Sequence, residues 1–162
     1  SHEHSLSTTG RAVSDLVFPQ TASDPDILPV PTPQYVQKLK TGTRSAREEQ
    51  EMEIPYSPVL VRAFWLAAGG SILAAEQALT DRVGINIGGG FQHAFPDHGE
   101  GFCMIHDVAV AIRRLQRDGK IRTAMTVDCD VHHGNGTAAI FGGTRTPSDP
   151  LPSTSAAAIS GG

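Results

Sequence analysis

Apolar residues recur at helical spacing over three stretches of the chain and gather into two short continuous runs between them. Tyr35, Val36 and Leu39 share one helical face, with Thr32 as cap, Pro33 at the first position and Gly42 as the stop, which predicts a helix near 33–41. Ser57-Pro58 opens the longest candidate, roughly 58–79. Val59, Leu60, Ala63, Phe64, Ala67, Ile72, Ala75 and Leu79 give it a broad apolar stripe. Gly69-Gly70 interrupt this helix at about 1 kcal/mol each relative to Ala, and their small size suits close packing against a neighbour. Trp65 is expected in the same core. Ile105, Val108, Ala109, Ile112 and Leu115 repeat the 3.6-residue period over about 104–117, and Asp118-Gly119 end it. The two continuous runs, 83–87 (VGINI) and 121–127, read as buried strands. Strand, helix and strand at this spacing predict a βαβ unit, hence a parallel sheet with a right-handed crossover. Ligands bind beyond the carboxyl ends of such strands. The polar loops 88–101 and 128–136 both fall at that edge.

The remaining stretches carry weaker patterns. Residues 12–18 (AVSDLVF) fit a short strand or half-helix, 21–33 is Pro- and Asp-rich loop, and 43–54 is a charged, solvated helix or excursion. Residues 136–141 can open one more helix. From 142 to 162 the chain is mostly Gly, Ser, Thr, Pro and Ala, and a disordered tail is expected there. The expected organisation is one domain over 1–141 followed by that tail.

Composition narrows the function classes. A chain of 162 residues suits one modest domain. Its net charge of −4 includes no basic block, which argues against a nucleic-acid partner. No apolar run approaches the length of a membrane span, and the first twenty residues lack a signal peptide's basic start and apolar core, so a cytoplasmic protein is expected. Two cysteines, Cys103 and Cys129, make no disulfide framework and are expected as reduced, buried thiols. Nothing in the composition addresses oligomeric state.

The chemistry lies in the two loops. The second begins Asp128-Cys129-Asp130-Val131-His132-His133 and runs into Gly134-Asn135-Gly136. Residues two apart in an extended strand end point the same way, so Asp128, Asp130 and His132 can share one side. Carboxylate and imidazole are ligands for zinc or a similar divalent ion. The first loop carries Gln92-His93 and, further on, Gly101-Phe102. Its glycines lack the third Gly of a dinucleotide fingerprint, and no Lys-Ser/Thr follows as in a phosphate loop. The chain also has neither the zinc deaminase signature nor a Gly-x-Ser-x-Gly elbow. A hydrolytic metal site needs a bound water, a base to take its proton and a donor for the developing oxyanion. His93 suits the base, since its ordinary pKa lies near neutrality. Gly101 and Phe102 can form a narrow apolar wall. His98, His106 and His133 are expected as loop or supporting residues.

Taken together, Gly88-Gly89-Gly90-x-x-His93-Ala94-Phe95-Pro96-Asp97-His98-Gly99-Glu100-Gly101-Phe102-Cys103 and Asp128-x-Asp130-x-His132-x-Gly134-Asn135-Gly136 resemble the zinc-dependent histone deacetylase family, with wording closest to bacterial and class IV-like members. The resemblance is strong over about 57–141 and weak over 10–54. It implies an arginase/deacetylase α/β fold, a three-layer sandwich with a central parallel sheet, of which the N-terminal part is present. It implies hydrolysis of acetyl or longer acyl amides on lysine or polyamines. By position, Asp130 and His132 match two zinc ligands, and Asp128 matches a carboxylate at a structural potassium site. His93 matches the second His of a tandem pair, the general base and acid. Gly101 and Phe102 match the tunnel around the acyl-lysine stem.

The chain departs from that pattern at several positions. Gln92 stands for the first His of the pair; it can hydrogen-bond to a zinc water but cannot become a cationic acid. His106 stands where the family usually has Asn, before Asp107. The family's third zinc ligand, an Asp, and its oxyanion Tyr come from well downstream of the Asp-x-His loop. Beyond His133 the only carboxylate is Asp149, and the only tyrosines are Tyr35 and Tyr56, both upstream. Resemblance stops near 141–143, as a truncated or frame-shifted reading would produce. Two functions follow as expectations: a zinc-dependent deacylase using His93, or a catalytically incomplete member of the family. An arginase-like two-metal hydrolase would want an Asp where Gly134-Asn135-Gly136 stand.

Overall fold

The longest helix is the surface on which the rest of the chain assembles, through a face turned from the expected stripe, of which Val59, Ala63 and Leu79 are exposed. The computed structural model describes residues 16–142 and the backbone of 156–160. In chain order the elements are α1 (Asp24–Ile27), α2 (Pro33–Thr41), α3 (Ala46–Met52), α4 (Pro58–Asp81), α5 (Asp107–Arg117), β1 (Thr123–Val127), α6 (Asn135–Phe141) and β2 (Ala156–Ser160). Helix α4 begins where Ser57 Oγ accepts the Leu60 amide and Pro58 presets the first turn. It buries Val61, Phe64, Trp65, Ala68, Gly69, Gly70 and Ile72. Burying each of the large side chains contributes about 1.5–3 kcal/mol. By length and composition α4 could cross a membrane, but its apolar face packs against α5 and the core around Tyr35, Leu39, Met52 and Met104. The interruption at Gly69 is a contact: a Cβ there would sit 1.9 Å from the Gln20 carbonyl oxygen, so residue 69 admits no side chain where the N-terminal segment crosses the helix.

Helix α2 starts and stops as its sequence predicts, with Thr32 accepting the Tyr35 amide and Gly42 in the left-handed conformation at φ 69°. The charged stretch 43–54 forms α3, capped reciprocally by Ser45 and Glu48, and Met52 at its end is fully buried. Within 21–33, expected as loop, Pro25 sits inside a single helical turn, α1. Arg114 and Arg117 of α5 both reach the Asp26 carboxylate and tie that turn to the layer of α4 and α5.

The sheet differs from expectation. Residues 83–87 form no strand. Gly84 and Asn86 lie against α4, and Asn86 donates to the Ala67 carbonyl, while Val83, Ile85 and Ile87 turn outward, the last two more than three-quarters exposed. An apolar run makes a strand only where a second strand supplies its hydrogen bonds, and among the described residues none flanks this one. Strand β1 does form, Ala124 packing on Ala109, Ile112 and Phe141. Its partner is β2, antiparallel, from Thr123 opposite Ser160 to Val127 opposite Ala156. Thus the parallel pair is absent among the described residues, and a piece of the expected tail, its Ala run, is a strand. The rest of that tail, and residues 12–15 of the stretch 12–18, lie outside the described residues; 16–18 are irregular and exposed.

Candidate metal and proton-transfer site

Without a parallel ladder, the N-terminus of α5 holds the two polar loops together. Asp107, at its first position, is fully buried. Its carboxylate accepts the Phe91 amide at 2.9 Å, the Gly90 amide at 3.1 Å and the Ser71 hydroxyl. His106 is the cap. Its Nδ1 accepts the Ala109 amide at 3.2 Å, so in the neutral ring the proton is on Nε2, which donates to Thr137 Oγ1 at 2.7 Å. Burial pushes the His106 imidazole down to about 4, the pull of Asp107 notwithstanding. Thr137 in turn donates its amide to the Gln92 carbonyl at 3.2 Å. Residue 106 therefore grips the second loop and residue 107 the first. Gly136 allows their contact, since a Cβ there would lie 2.3 Å from the Ala94 carbonyl oxygen.

Strand β1 ends at Val127, and the chain bends at residues 130–132 instead of continuing as an extended strand end. Asp128 Oδ1 accepts the Asp130 amide at 2.9 Å, and Asp130 Oδ2 accepts the His132 amide at 3.1 Å. These side-chain turns, rather than strand alternation, bring Asp130 and His132 together. Asp130 Oδ2 also takes His132 Nδ1 at 2.9 Å and Gln92 Nε2 at 3.1 Å. Hydrogen bonds from the His132 side chain and backbone hold the Asp130 carboxyl below the usual carboxylate range. Ligand atoms of His93, Asp130 and His132 all lie within 4.8 Å of one another, and the His93 and His132 rings meet edge to face, 6.0 Å between centres. One carboxylate and two imidazoles converging this closely fit a divalent ion of the zinc type.

His93 is oriented from behind. Its Nδ1 lies 2.7 Å from Asn135 Oδ1, and Asn135 Nδ2 donates to Glu100 Oε2 at 2.5 Å. Facing an amide oxygen, Nδ1 carries the proton and Nε2 keeps the lone pair. A Cβ on Gly101 would meet the His93 ring at 3.4 Å, and Phe102, left-handed at φ 65°, is 59% exposed.

The sequence-level candidates Gln92, His93, Asp130 and His132 thus come together, Gly101 and Phe102 flank them, and Asp128 shapes the loop from underneath. His133 is exposed. His98 stacks on Phe95 and pairs with Asp97. Cys103 is buried, which pushes its thiol up, but Cys129 is exposed, contrary to expectation, because its turn faces outward; both are free. Tyr35 is buried with its hydroxyl on the Met104 carbonyl, and Tyr56 packs against Gly42 and Arg44, so neither tyrosine serves the cluster. Asp149 lies outside the described residues. Glu100, Asn135 and Asp107 stand within or beside the motif wording but carry no role from it, and Thr137 is outside it. Their signal is a hydrogen-bonding partner far along the chain, which spacing does not reveal.

This arrangement, a buried helix N-terminus clamping an imidazole loop onto an Asp-x-His turn, is a candidate metal site. Residues 2–147 match the family described as the histone deacetylase domain, and the chain belongs to that family. Over 126 residues it is 34% identical to a probable deacetylase of Methanothermobacter thermautotrophicus, covering 77% of this chain and 38% of that protein. Over 137 residues it is 31% identical to the acetoin utilization protein AcuC of Bacillus subtilis, covering 78% and 35%. A solved HDAC homologue from Aquifex aeolicus superposes with a TM-score of 0.70 at 27% identity, covering 81% of this chain and 37% of the homologue. A second, complexed with SAHA, superposes at 0.68 and 27%. The chain adopts the N-terminal part of the arginase/deacetylase fold and spans between a third and two fifths of the length of these relatives.

Proposed function

We propose that the chain carries the Asp-x-His metal loop and the base of a zinc-dependent hydrolase of acyl-lysine-type amides, on protein or polyamine. The observation that carries this is the cluster of His93, Asp130 and His132, with His93 Nδ1 engaged by Asn135 and Nε2 left to accept. Asp130 and His132 would hold the ion, with Asp128 supporting the loop or contributing to a potassium site. When bound, zinc supplies an acidified water and polarises the amide carbonyl. His93 takes a proton at Nε2 as the water adds to the carbonyl, and returns it to the leaving amine nitrogen. Gln92 hydrogen-bonds from the adjoining position and stays neutral throughout. Gly101 and Phe102 flank an aliphatic stem, whose apolar length excludes water from the base.

Acetate release from an acetyl-lysine peptide and from an acetylated polyamine, with His93→Ala as control, tests this reading; release that SAHA blocks and the control lacks is the expected result. Release that is equally fast in the control contradicts it. A second reading has its own observation: among the described residues only Asp130 and His132 remain as ligands once His93 serves as base, whereas a catalytic zinc normally has three protein ligands. On that reading the chain binds metal and releases no acetate.

A further inference from the structure

Glu100 has no part in the proposed ligand set, yet its carboxylate is committed to Asn135, 35 residues away. We propose that Glu100 is a positioning residue that fixes the amide of Asn135 and, through it, the tautomer of His93; the inference rests on His93 being the base.

Asn135 can present either its oxygen or its NH2 to the imidazole, and the two ends differ little in shape. Only the first makes His93 carry its proton on Nδ1 and keep the lone pair on Nε2. Glu100 Oε2, 2.5 Å from Asn135 Nδ2, accepts only from the NH2 end. Turning the amide over would set its oxygen against that carboxylate. The Gly136 amide, which donates to Asn135 Oδ1 at 3.0 Å, works in the same sense. Glu100 adds what the Gly136 amide cannot: it anchors the far end of the side chain, so that the oxygen stays 2.7 Å from His93 Nδ1. A carboxylate on the NH2 end also polarises the amide, and chains of hydrogen bonds reinforce one another in a partly dry setting.

The position of Glu100 in the chain extends this role. It immediately precedes Gly101 and Phe102, the proposed wall for the substrate stem. The Gly101 and Phe102 amides donate to the Glu51 and Met52 carbonyls at the end of α3. Glu100 Oε1 lies 3.6 Å from His98 Nε2. The segment that lines the stem is therefore tied to the base through one side chain, so displacement of the wall would reach the proton-accepting nitrogen.

The tautomer is read without metal or turnover. In the full 162-residue chain with 15N-labelled histidine, at a pH about two units above the ordinary histidine pKa, the ring-nitrogen shifts of His93 report which nitrogen carries the proton. His93→Gln assigns the signals. Wild type is expected as the Nδ1–H form, Glu100→Ala as a mixture with a substantial Nε2–H share. Glu100→Gln, which keeps an acceptor oxygen for Asn135 Nδ2, is expected to retain the Nδ1–H form. Glu100 is partly exposed and outside the apolar core, so these variants leave the packing in place. A His93 tautomer unmoved by Glu100→Ala, or shifted as far by Glu100→Gln as by Glu100→Ala, overturns the inference. Failure of the catalytic reading shows separately, as absent acetate release beside an intact tautomer shift.

Discussion

Replacing Asp107 with Ala removes the acceptor around which both polar loops are hung. The carboxylate is fully buried and receives two backbone amides, Gly90 and Phe91, and the Ser71 hydroxyl. Ser71 keeps a partner, since its oxygen accepts from Asn86 Nδ2 at 2.8 Å. Gly90 is exposed and Phe91 half-buried, so water replaces part of what the two amides lose, and each falls toward the low end of the about 1–3 kcal/mol of a fully buried unmade donor. The expected loss is therefore about 1–3 kcal/mol, against a typical total of about 5–15 for a domain. Urea unfolding should show a lower midpoint at unchanged slope. Hydrogen exchange at Gly90 and Phe91 should accelerate more than in α4, because the loop is released before the core. Asp107→Asn keeps one acceptor oxygen while turning an NH2 toward donors, and should lie between wild type and Ala. If Asp107→Ala unfolds within about 0.5 kcal/mol of wild type, the magnitude of a surface substitution, and the Gly90 and Phe91 amides stay as protected, the clamp assigned to α5 is wrong.

Acid should destabilise the chain in two windows. The His106 pKa is about 4 folded against 6.5 ordinarily, so the unfolded chain binds the extra proton between those values; stability is full above 6.5 and falls by up to about 3 kcal/mol as pH drops to 4, and His106→Asn should flatten that slope in urea titrations at stepped pH. Burial would push Asp26 up, but hydrogen bonds from Ser23 and Arg117 and the charge of Arg114 bring its carboxyl down to about 2, so its contribution, about 2 kcal/mol, is present above 3.8 and disappears below it; Asp26→Asn should remove the lower window. Gly136→Ala should separate the loops, because its Cβ has backbone carbonyls at 2.3 and 2.7 Å, and should be read as weakened metal binding in calorimetry with α4 still helical by circular dichroism.

Helical elements were legible from the sequence wherever cap, period and stop agreed, as in α2 with Thr32 and Gly42 and α5 with Asp118 and Gly119. The wording of both loops carried the family. Strand pairing was not legible. VGINI has the composition of a buried strand, but a strand exists through its neighbour, and no local pattern states whether one is there. The same limit hid Glu100 and Asn135: each is ordinary in its own loop, and both gain meaning only when α5 draws the loops together. Asp130 and His132 converge as their spacing suggested, but through side-chain turns at Asp128 and Asp130 rather than an extended backbone.

Zinc binding to the purified chain tests the central claim most directly, by equilibrium dialysis beside Asp130→Asn and His132→Ala. One ion per chain in wild type, with affinity reduced at least tenfold in each variant, is the predicted result; no binding, or binding that both variants retain, contradicts the assignment of the Asp-x-His turn as a metal loop.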